Sequence, residues 1–249
     1  MKQTALITGA SKRIGKAIAE HLASKGWSVF IHYNTSGKAA ELLAAELSLE
    51  FPKQTFMPIQ ANLANRNEVL GLIPKVVSEN GEFNLLVNNA SVFDKSYLSE
   101  TSAELFDSQM DVNLKAPFFL MRDFANYCKK GNIVNFVDTR VTSNKSNFAA
   151  YSLSKKGLWD LTQMAALEFA PEIRVNAIAP GVTLAPEDED ENYLQNLAKN
   201  IPMKRPGGLN PILKSIDYIL ENKYLTGQLL FADGGENLGV QSSPDSKFE

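Results

Sequence analysis

Short apolar runs alternate with longer amphipathic segments along most of the chain. The runs are five or six residues long and rich in Val, Ile, Leu and Phe, without the regular polar alternation of a half-exposed strand. Such runs are typical of parallel strands that are buried on both faces. The pattern predicts strands over residues 4–8, 28–33, 55–60, 83–87, 132–137, 173–178 and 228–232.

The segments between these runs carry apolar residues at the spacing of a helix. After the first strand, Ile14, Ile18 and Leu22 recur on one face, and Gly26 follows as a stop signal. The same reasoning predicts helices over residues 14–25, 37–47, 67–79, 103–129 and 151–168. Strands that alternate with helices predict an α/β fold of the Rossmann type, a doubly wound parallel sheet with helices on both faces.

The sequence shows no internal repeat and no Pro/Gly/Ser-rich linker that would divide the chain. We therefore predict one domain over residues 1–239 and a loosely ordered polar tail over 240–249. Five consecutive acidic residues at 187–191 interrupt the α/β pattern. This run is either a solvated loop or part of a mobile flap, at about residues 183–205, that covers a substrate site.

Composition narrows the functional classes. The 249 residues are 44% hydrophobic and 21% charged, enough for a buried core without metals or disulfides. A net charge of -3 and the lack of a Lys/Arg-rich block argue against a nucleic-acid-binding protein. No segment approaches the roughly 20 apolar residues of a membrane span. The start becomes glycine-rich too early for a signal peptide, so we expect no membrane partner and a cytoplasmic protein.

Cysteine and histidine are scarce. Because Cys128 is the only cysteine, the chain cannot form an internal disulfide, and a reducing compartment fits best. A Ser-His-Asp hydrolase or a histidine metal site would have to use His21 or His32. Neither histidine accompanies a nucleophile or ligand motif, so we expect no metal and disfavour hydrolases.

The segment Thr-Gly-Ala-Ser-Lys-Arg-Ile-Gly at residues 8–15 joins the first strand to the first helix. Gly9 permits a tight turn, and Gly15 permits the helix to pack closely on the strand. The N–H groups at such a helix N-terminus bind the pyrophosphate of a dinucleotide. Because the segment follows a strand and opens a helix within a βαβ unit, it predicts dinucleotide binding.

The end of the second strand indicates which dinucleotide is bound. An acidic side chain there favours NAD, but residues 28–36 contain no acid. Arg13, His32, Ser36 and Lys38 can instead offer donors or positive charge to a 2′-phosphate. We therefore expect NADP(H) as the cofactor.

Three further blocks follow the glycine turn in order. They are Asn-Asn-Ala at 88–90, Tyr-Ser-Leu-Ser-Lys at 151–155 and Pro-Gly at 180–181. With these blocks, the chain resembles the short-chain dehydrogenase/reductase family from its start to the Asp-Gly-Gly at 233–235. The order of the blocks is specific, although each block alone would be a weak signal.

The resemblance implies a role for each matching residue. Tyr151 would be the general acid/base, Lys155 would lower its pKa and hold the nicotinamide ribose, and Asn113 would support Lys155 through water. Family members are commonly homotetramers, so the resemblance implies that assembly too. The implied cofactor site comprises Gly9, Ser11, Arg13, Ile14, Gly15, His32, Tyr33, Ser36, Asn62, Leu63, Asn89, Ala90, Ser91, Tyr151, Lys155, Pro180 and Gly181.

Two positions depart from the family pattern. Arg13 replaces a glycine of the turn, and Asp138 replaces the serine that normally stands thirteen positions before the tyrosine. When hydride reaches a carbonyl, negative charge grows on its oxygen, and a nearby carboxylate would repel that charge. The nitrogen of a C=N bond instead becomes more basic and accepts a proton, which Asp138 and Tyr151 could relay.

Arg13 and Asp138 together are similar to the pteridine reductase branch of the family. That resemblance implies a pterin held between the nicotinamide and Phe93, with Ser91 and Arg13 as polar contacts. Asp138 and Tyr151 would lie at the reacting edge of the pterin. Taken alone, Phe93 could equally be an aromatic of the core.

Three further residues differ from the branch or have no assigned role. Thr35 stands where pteridine reductases often place an arginine for the 2′-phosphate, and Asn62 replaces the aspartate that contacts adenine. Arg140 either pairs with Asp138 or faces the tail of the substrate.

The sequence thus predicts an NADPH-dependent enzyme that reduces a pterin, dihydropterin or dihydrofolate. A 3-oxoacyl-thioester or general carbonyl reductase of the same family is the first alternative. A dinucleotide-binding sensor without catalytic activity is the second.

Overall fold

The computed structural model describes residues 3–144, 146–185 and 191–239. Within them, the strands are β1 (Thr4–Ile7), β2 (Ser28–Tyr33), β3 (Phe56–Gln60), β4 (Leu85–Asn88), β5 (Gly131–Phe136), β6 (Ile173–Pro180) and β7 (Leu229–Ala232). They form one sheet in the order β3-β2-β1-β4-β5-β6-β7, and every neighbouring pair is parallel. The predicted doubly wound parallel sheet is confirmed.

Helices cover both faces of this sheet. They are α1 (Arg13–Ser24), α2 (Gly37–Glu50), α3 (Arg66–Asn80), α4 (Ala103–Met110), α5 (Ala116–Cys128), α6 (Ala149–Phe169), α7 (Glu191–Ala198) and α8 (Asn210–Glu221). One apolar cluster packs α1, α2 and α8 on the sheet, and a second packs α3, α5 and α6 on the other face.

The first strand shows why the strands read as continuous apolar runs. Ala5 and Ile7 belong to the cluster on one face, and Leu6 belongs to the cluster on the other. Since successive side chains of a strand point to opposite faces, a strand covered on both sides needs apolar residues at every position.

The order of the strands creates the crevice in which the site forms. β1 pairs with β2 on one side and with β4 on the other, so the chain changes direction across the sheet at β1. In open α/β sheets, ligands bind at the carboxyl ends of the strands beside such a switch point. The predicted glycine turn lies there, at the end of β1.

The helices differ from the sequence prediction in two places. The helix predicted over 103–129 is interrupted by a π-helical turn at Asp111–Lys115, which divides it into α4 and α5. The sequence pattern did not predict α7 and α8, although Ile212, Ile216 and Ile219 recur on the buried face of α8. The predicted tail at 240–249 and residues 187–190 of the acidic run lie outside the described residues.

Among the described residues, no helix is long and apolar enough to cross a membrane.

Candidate active site

The glycine turn leads from β1 into α1 and has little space for side chains. Gly9 has a φ of 62°, which favours glycine, and a Cβ on Gly15 would collide with the carbonyl oxygen of Gly9. Ser11 is buried within the turn. The two glycines therefore let the start of α1 pack against the end of β1, as the sequence predicts.

The N-terminus of α1 presents positive charge to the crevice. Lys12, the residue before the helix, has no side-chain capping bond, and the first turn contains no acidic residue. Arg13 adds a basic side chain that lines the cavity, whereas Lys16 pairs with Glu20 and Glu46. A helix N-terminus with no competing carboxylate is suited to binding an anionic diphosphate.

His32 supports the turn from beneath, which corrects one expectation. Its Nδ1 accepts a hydrogen bond from the N–H of Gly9 at 3.0 Å, and its Nε2 lies 3.0 Å from the carbonyl oxygen of Ala61. The ring is 1% exposed, and burial lowers its pKa to about 4. The His32 ring is therefore neutral and fully bonded, and the prediction that it offers charge to a 2′-phosphate is wrong.

Thr8 joins the glycine turn to the neighbouring strand. Its hydroxyl accepts from the N–H groups of Asn89 and Ala90, at 2.9 and 3.0 Å, and donates to the carbonyl of Val87 at 3.2 Å. The side-chain amide of Asn89 donates back to the carbonyl of Thr8 at 2.9 Å. These bonds fix the segment after β4 against the turn, a role that the sequence analysis did not assign to Thr8.

The residues predicted to hold the adenosine follow β2 and β3. Tyr33 packs over Gly37, and Ser36 precedes α2 without a side-chain capping bond. The carbonyl oxygen of the Asn62 side chain accepts from the N–H of Ala64 at 3.0 Å, and the side chain of Leu63 is buried in the core. The contact predicted for Leu63 would therefore have to come from its backbone.

Asp138, Tyr151 and Lys155 meet at the end of β5. The hydroxyl of Tyr151 donates to Oδ2 of Asp138 at 2.8 Å. Lys155 lies one turn further along α6, and its Nζ donates to the carbonyl of Phe136 at 2.8 Å. The structure thus brings together the three side chains that the sequence identifies as a proton-transfer group.

Burial and the carboxylate set the charge states of this group. The pKa of Tyr151 is raised well above its ordinary value by burial first, and then by the negative charge and hydrogen bond of Asp138. Burial lowers the pKa of Lys155 to about 8, although the charge of Asp138 opposes this effect. The prediction that Lys155 lowers the pKa of Tyr151 is therefore wrong, because burial and Asp138 raise it instead. Tyr151 is a protonated donor at neutral pH, and Lys155 loses its proton near pH 8.

Asn113 lies in the π-helical turn and is fully buried. Its side-chain oxygen accepts from the hydroxyl of Ser91 and from the N–H of Val92, at 3.0 and 2.9 Å. Its NH₂ group donates to the Val92 carbonyl and to Gln109 and Ser154. In the structure, Asn113 therefore orders the loop after β4, and its support of Lys155 through water stays a prediction.

Phe93 projects from that loop and is not a core residue. Its side chain is 54% exposed. Its ring stacks on Phe148 with centroids 4.3 Å apart and meets Tyr151 edge-on at 4.6 Å. Phe148 was not among the predicted site residues, although its position three residues before Tyr151 at the start of a helix places both on one face.

These groups open into one cavity of about 550 Å³. Arg13 crosses it from the glycine turn, and its guanidinium donates to the carbonyls of Leu184 and Ala185. Tyr193, on α7, lines the same cavity. Described parts of the segment 183–205 therefore wall the cavity, and its movement as a flap stays a prediction. The other predicted site residues on the cavity are Ile14, Asn89, Ser91, Phe93, Asp138, Tyr151, Lys155, Pro180 and Gly181.

Comparison with known families decides the class. The sequence model described as "short chain dehydrogenase" matches residues 3–194. The chain belongs to the short-chain dehydrogenase/reductase family. Within it, the chain is 32% identical over 243 residues to the 3-oxoacyl-[acyl-carrier-protein] reductase FabG of Staphylococcus epidermidis, covering 94% of this chain and 99% of that protein. Over an aligned length of 282 residues, it is 30% identical to pteridine reductase 1 of Leishmania tarentolae, covering 94% and 96%.

Solved structures extend the comparison. The structure of FolM alternative dihydrofolate reductase 1 from Brucella suis, in complex with NADP, is similar with a TM-score of 0.90 and 36% identity over 98% of both chains. Its counterpart from Brucella canis, also with NADP, gives a TM-score of 0.89 and 35% identity over the same shares. This short-chain dehydrogenase/reductase is an NADP-dependent oxidoreductase of the pteridine reductase-like branch.

The residues present fit NADP(H). The N-terminus of α1 suits the pyrophosphate, and the N-terminus of α2 has no acidic residue in its first turn and carries Lys38 there, which suits a 2′-phosphate. Lys155 lies on the cavity where a nicotinamide ribose would be held. Among the described residues, no three His, Cys, Asp or Glu side chains gather as metal ligands.

Proposed function

We propose that this protein uses NADPH to reduce a dihydropterin or dihydrofolate ring at a C=N bond. The observation that carries the proposal is the 2.8 Å hydrogen bond from the Tyr151 hydroxyl to the Asp138 carboxylate. In the family pattern a serine hydroxyl stands at this position. The replacement removes a donor beside the reacting atom and adds a negative charge.

A carboxylate is unfavourable beside a carbonyl that is being reduced. The oxygen of that carbonyl gains negative charge, and repulsion between two like charges at about 4 Å is about 4 kcal/mol at an effective dielectric constant of about 20. That is about a thousandfold in rate. Asp138 therefore disfavours carbonyl reduction, whereas a protonated ring nitrogen would be attracted to it.

The reaction needs one hydride and one proton. NADPH supplies the hydride to the ring carbon when it is bound. Tyr151 gives its proton to the adjacent ring nitrogen, and its raised pKa keeps that proton in place until the nitrogen becomes basic. The Tyr151–Asp138 pair then takes up a proton from water in the open cavity, and Lys155 stabilises the phenolate while it exists.

The cavity walls also support a flat substrate. Phe93 is 54% exposed, lines the cavity and stacks on Phe148. An aromatic ring on the cavity wall beside the proton donor suits stacking of a bicyclic ring. Arg13 and Ser91 lie on the same cavity and are proposed as polar contacts of the pterin edge.

A second candidate is 3-oxoacyl-thioester reduction, since FabG of Staphylococcus epidermidis is 32% identical over nearly the full chain. Steady-state oxidation of NADPH with 7,8-dihydrobiopterin, 7,8-dihydrofolate and an acetoacetyl thioester separates the two. We expect kcat/KM at least about 100-fold higher for a dihydropterin or dihydrofolate than for the thioester. Preference for the thioester would contradict the proposal and support the second candidate.

We propose a homotetramer as the assembly, as is common in the family. Exposed apolar side chains on neighbouring helices support an interface, among them Phe118 on α5 and Met164 and Leu167 on α6. Light scattering coupled to gel filtration should give four times the chain mass, and a monomeric mass would contradict this assembly.

A further inference from the structure

Arg140 contacts both parts of the substrate pocket. It lies in the turn Thr139–Thr142 after β5, and its backbone N–H donates to Oδ1 of Asp138 at 2.8 Å. Its Nε is 4.0 Å from the same oxygen. Its guanidinium lies over the ring of Phe148, with Cζ 4.7 Å from the centroid. One side chain thus joins the proton-relay carboxylate to the aromatic wall.

Phe148, whose ring lies under the Arg140 guanidinium, has an unusual backbone conformation that its neighbours stabilise. Phe148 has a φ of 75°, in the left-handed region that a bulky side chain rarely adopts. Its N–H and that of Ala149 both donate to the carbonyl of Ser96 at 3.0 Å. Arg140 also donates from Nη1 to the backbone and side-chain oxygens of Asn147, at 3.2 and 3.3 Å. Such conformations persist where the surroundings fix them, and they concentrate at functional sites.

The contact continues from Phe148 to the reacting group. Phe148 stacks on Phe93 at 4.3 Å with an interplanar angle of 5°, and Phe93 meets the ring of Tyr151 edge-on. A change in the position of Phe148 would therefore move the ring of Phe93, which lines the cavity. Arg140 itself is only 17% exposed at its side chain and lines the cavity.

We propose that Arg140 is a positioning residue that clamps the Phe148–Phe93 platform to Asp138. The clamp sets the width of the slot for a flat ring and keeps that ring level with the proton donor. This inference rests on the proposed function, because the slot has a purpose only for a planar substrate. It assigns Arg140 to the pocket wall and not to the tail of the substrate.

The planar guanidinium is essential to this role. Arg140 makes hydrogen bonds to Asn147 and covers the face of Phe148 at the same time, which the point charge of lysine cannot do. Arg140→Lys should therefore raise KM for the substrate almost as much as Arg140→Met does. If only positive charge near Asp138 mattered, Arg140→Lys would retain function.

Arg122 provides a matched control. Its guanidinium lies 4.8 Å from the ring centroid of Phe119 and pairs with the carboxylate of Asp123, but it does not line the cavity. Arg122→Met removes the same kind of contact elsewhere on the surface. It should leave every kinetic constant with dihydrobiopterin within about twofold of wild type.

The experiment measures KM and kcat for 7,8-dihydrobiopterin and the Kd of NADPH in each variant. Arg140→Met and Arg140→Lys should each raise KM about tenfold, the size of a lost desolvated cation–π contact, and leave the Kd of NADPH within about twofold. Phe148→Leu should raise KM similarly. The double variant Arg140→Met/Phe148→Leu should have a KM no more than about twofold above that of Phe148→Leu, because both changes act through one contact.

Three results would overturn the clamp. These are an unchanged KM in Arg140→Met, full rescue by Arg140→Lys, and additive effects of Arg140→Met and Phe148→Leu. The wild-type assay keeps this result separate from the proposed function. A wild type that reduces the acetoacetyl thioester and no dihydropterin or dihydrofolate overturns the proposed function and the clamp together, whereas an active wild type with unaffected variants overturns the clamp alone.

Discussion

The proposed cofactor half and the proposed substrate half of the crevice share one edge of the sheet, but they are built differently. The phosphate turn of the cofactor half is local, because β1, the glycine turn and α1 follow one another directly in the chain. The substrate half combines side chains from three separate segments, around Phe93, Asp138 and Tyr151. The turn depends on one stretch of the chain, whereas the substrate half depends on contacts between distant stretches, among them Asp138, which departs from the family pattern. We expect substrate preference to be set at these contacts.

The largest effect should come from the substrate half alone. Asp138→Ala removes the acceptor of the Tyr151 hydrogen bond and the predicted partner of the ring nitrogen. We expect turnover of 7,8-dihydrobiopterin to fall by about a thousandfold or more, within the range found for residues of a proton-transfer group. NADPH affinity, measured by fluorescence titration, should stay within about threefold, since Asp138 lies outside the phosphate turn. Unchanged turnover would show that Asp138 has no catalytic role.

The reciprocal change belongs to the cofactor half. Gly15→Ala places a methyl group against the carbonyl oxygen of Gly9 and should displace the turn. We expect the Kd of NADPH to rise by about 100-fold, comparable to the loss of several backbone contacts to the diphosphate.

Gly71→Ala is the matched control, because Gly71 is also helical and a Cβ there meets nothing within 4 Å. It should preserve NADPH binding and increase the free energy of unfolding by up to about 1 kcal/mol, the helix propensity difference. Equal binding by both alanine variants would contradict the packing account of the turn.

His32 should make the cofactor half sensitive to acid. Its pKa is about 4 in the folded protein and about 6.5 when exposed, so the unfolded chain binds the proton more tightly. The stabilisation is complete above pH 6.5 and is lost as pH falls towards 4, by about 3 kcal/mol in total. Urea unfolding of wild type and His32→Gln across this range measures the difference. A His32→Gln variant that loses as much stability as wild type over this range would refute the assignment.

The smallest predicted effect is a pH dependence of cofactor binding. Lys155 is charged below its pKa of about 8 and neutral above it. The Kd of NADPH should therefore be constant from pH 6 to 7.5 and rise by about tenfold above pH 8, as one charge-assisted hydrogen bond is weakened. In Asp138→Asn the rise should begin at lower pH, because the charge that favours protonated Lys155 is gone. An identical pH profile in both proteins would show that the charge of Asp138 does not affect the pKa of Lys155.

The sequence predicted the local features of the molecule and not those that form between distant segments. Continuous apolar runs predicted the parallel sheet because strands covered on both faces need apolar residues throughout. The glycine turn and the Tyr151–Lys155 pair could be predicted from the sequence because their geometry is set within one turn of a helix. The buried, bonded state of His32 could not be predicted from the sequence, since it depends on a contact with the carbonyl of Ala61, which follows β3.

The roles of Phe148 and Arg140 could not be predicted from the sequence for a related reason. Their roles depend on a left-handed residue and on a ring stack between segments more than fifty positions apart. The π-helical turn around Asn113 was also missed, because its extra residue is required by bonds to the loop after β4 and not by helix propensity.

The most direct test of the account is the substrate preference of Asp138→Ser. This change restores the hydroxyl donor of the family pattern and removes the carboxylate beside Tyr151. We expect kcat/KM for 7,8-dihydrobiopterin to fall by about a thousandfold and kcat/KM for an acetoacetyl thioester to rise, because a donor replaces a repulsive charge. A variant that keeps its dihydropterin activity and gains none with the thioester would contradict the claim that Asp138 selects C=N over C=O.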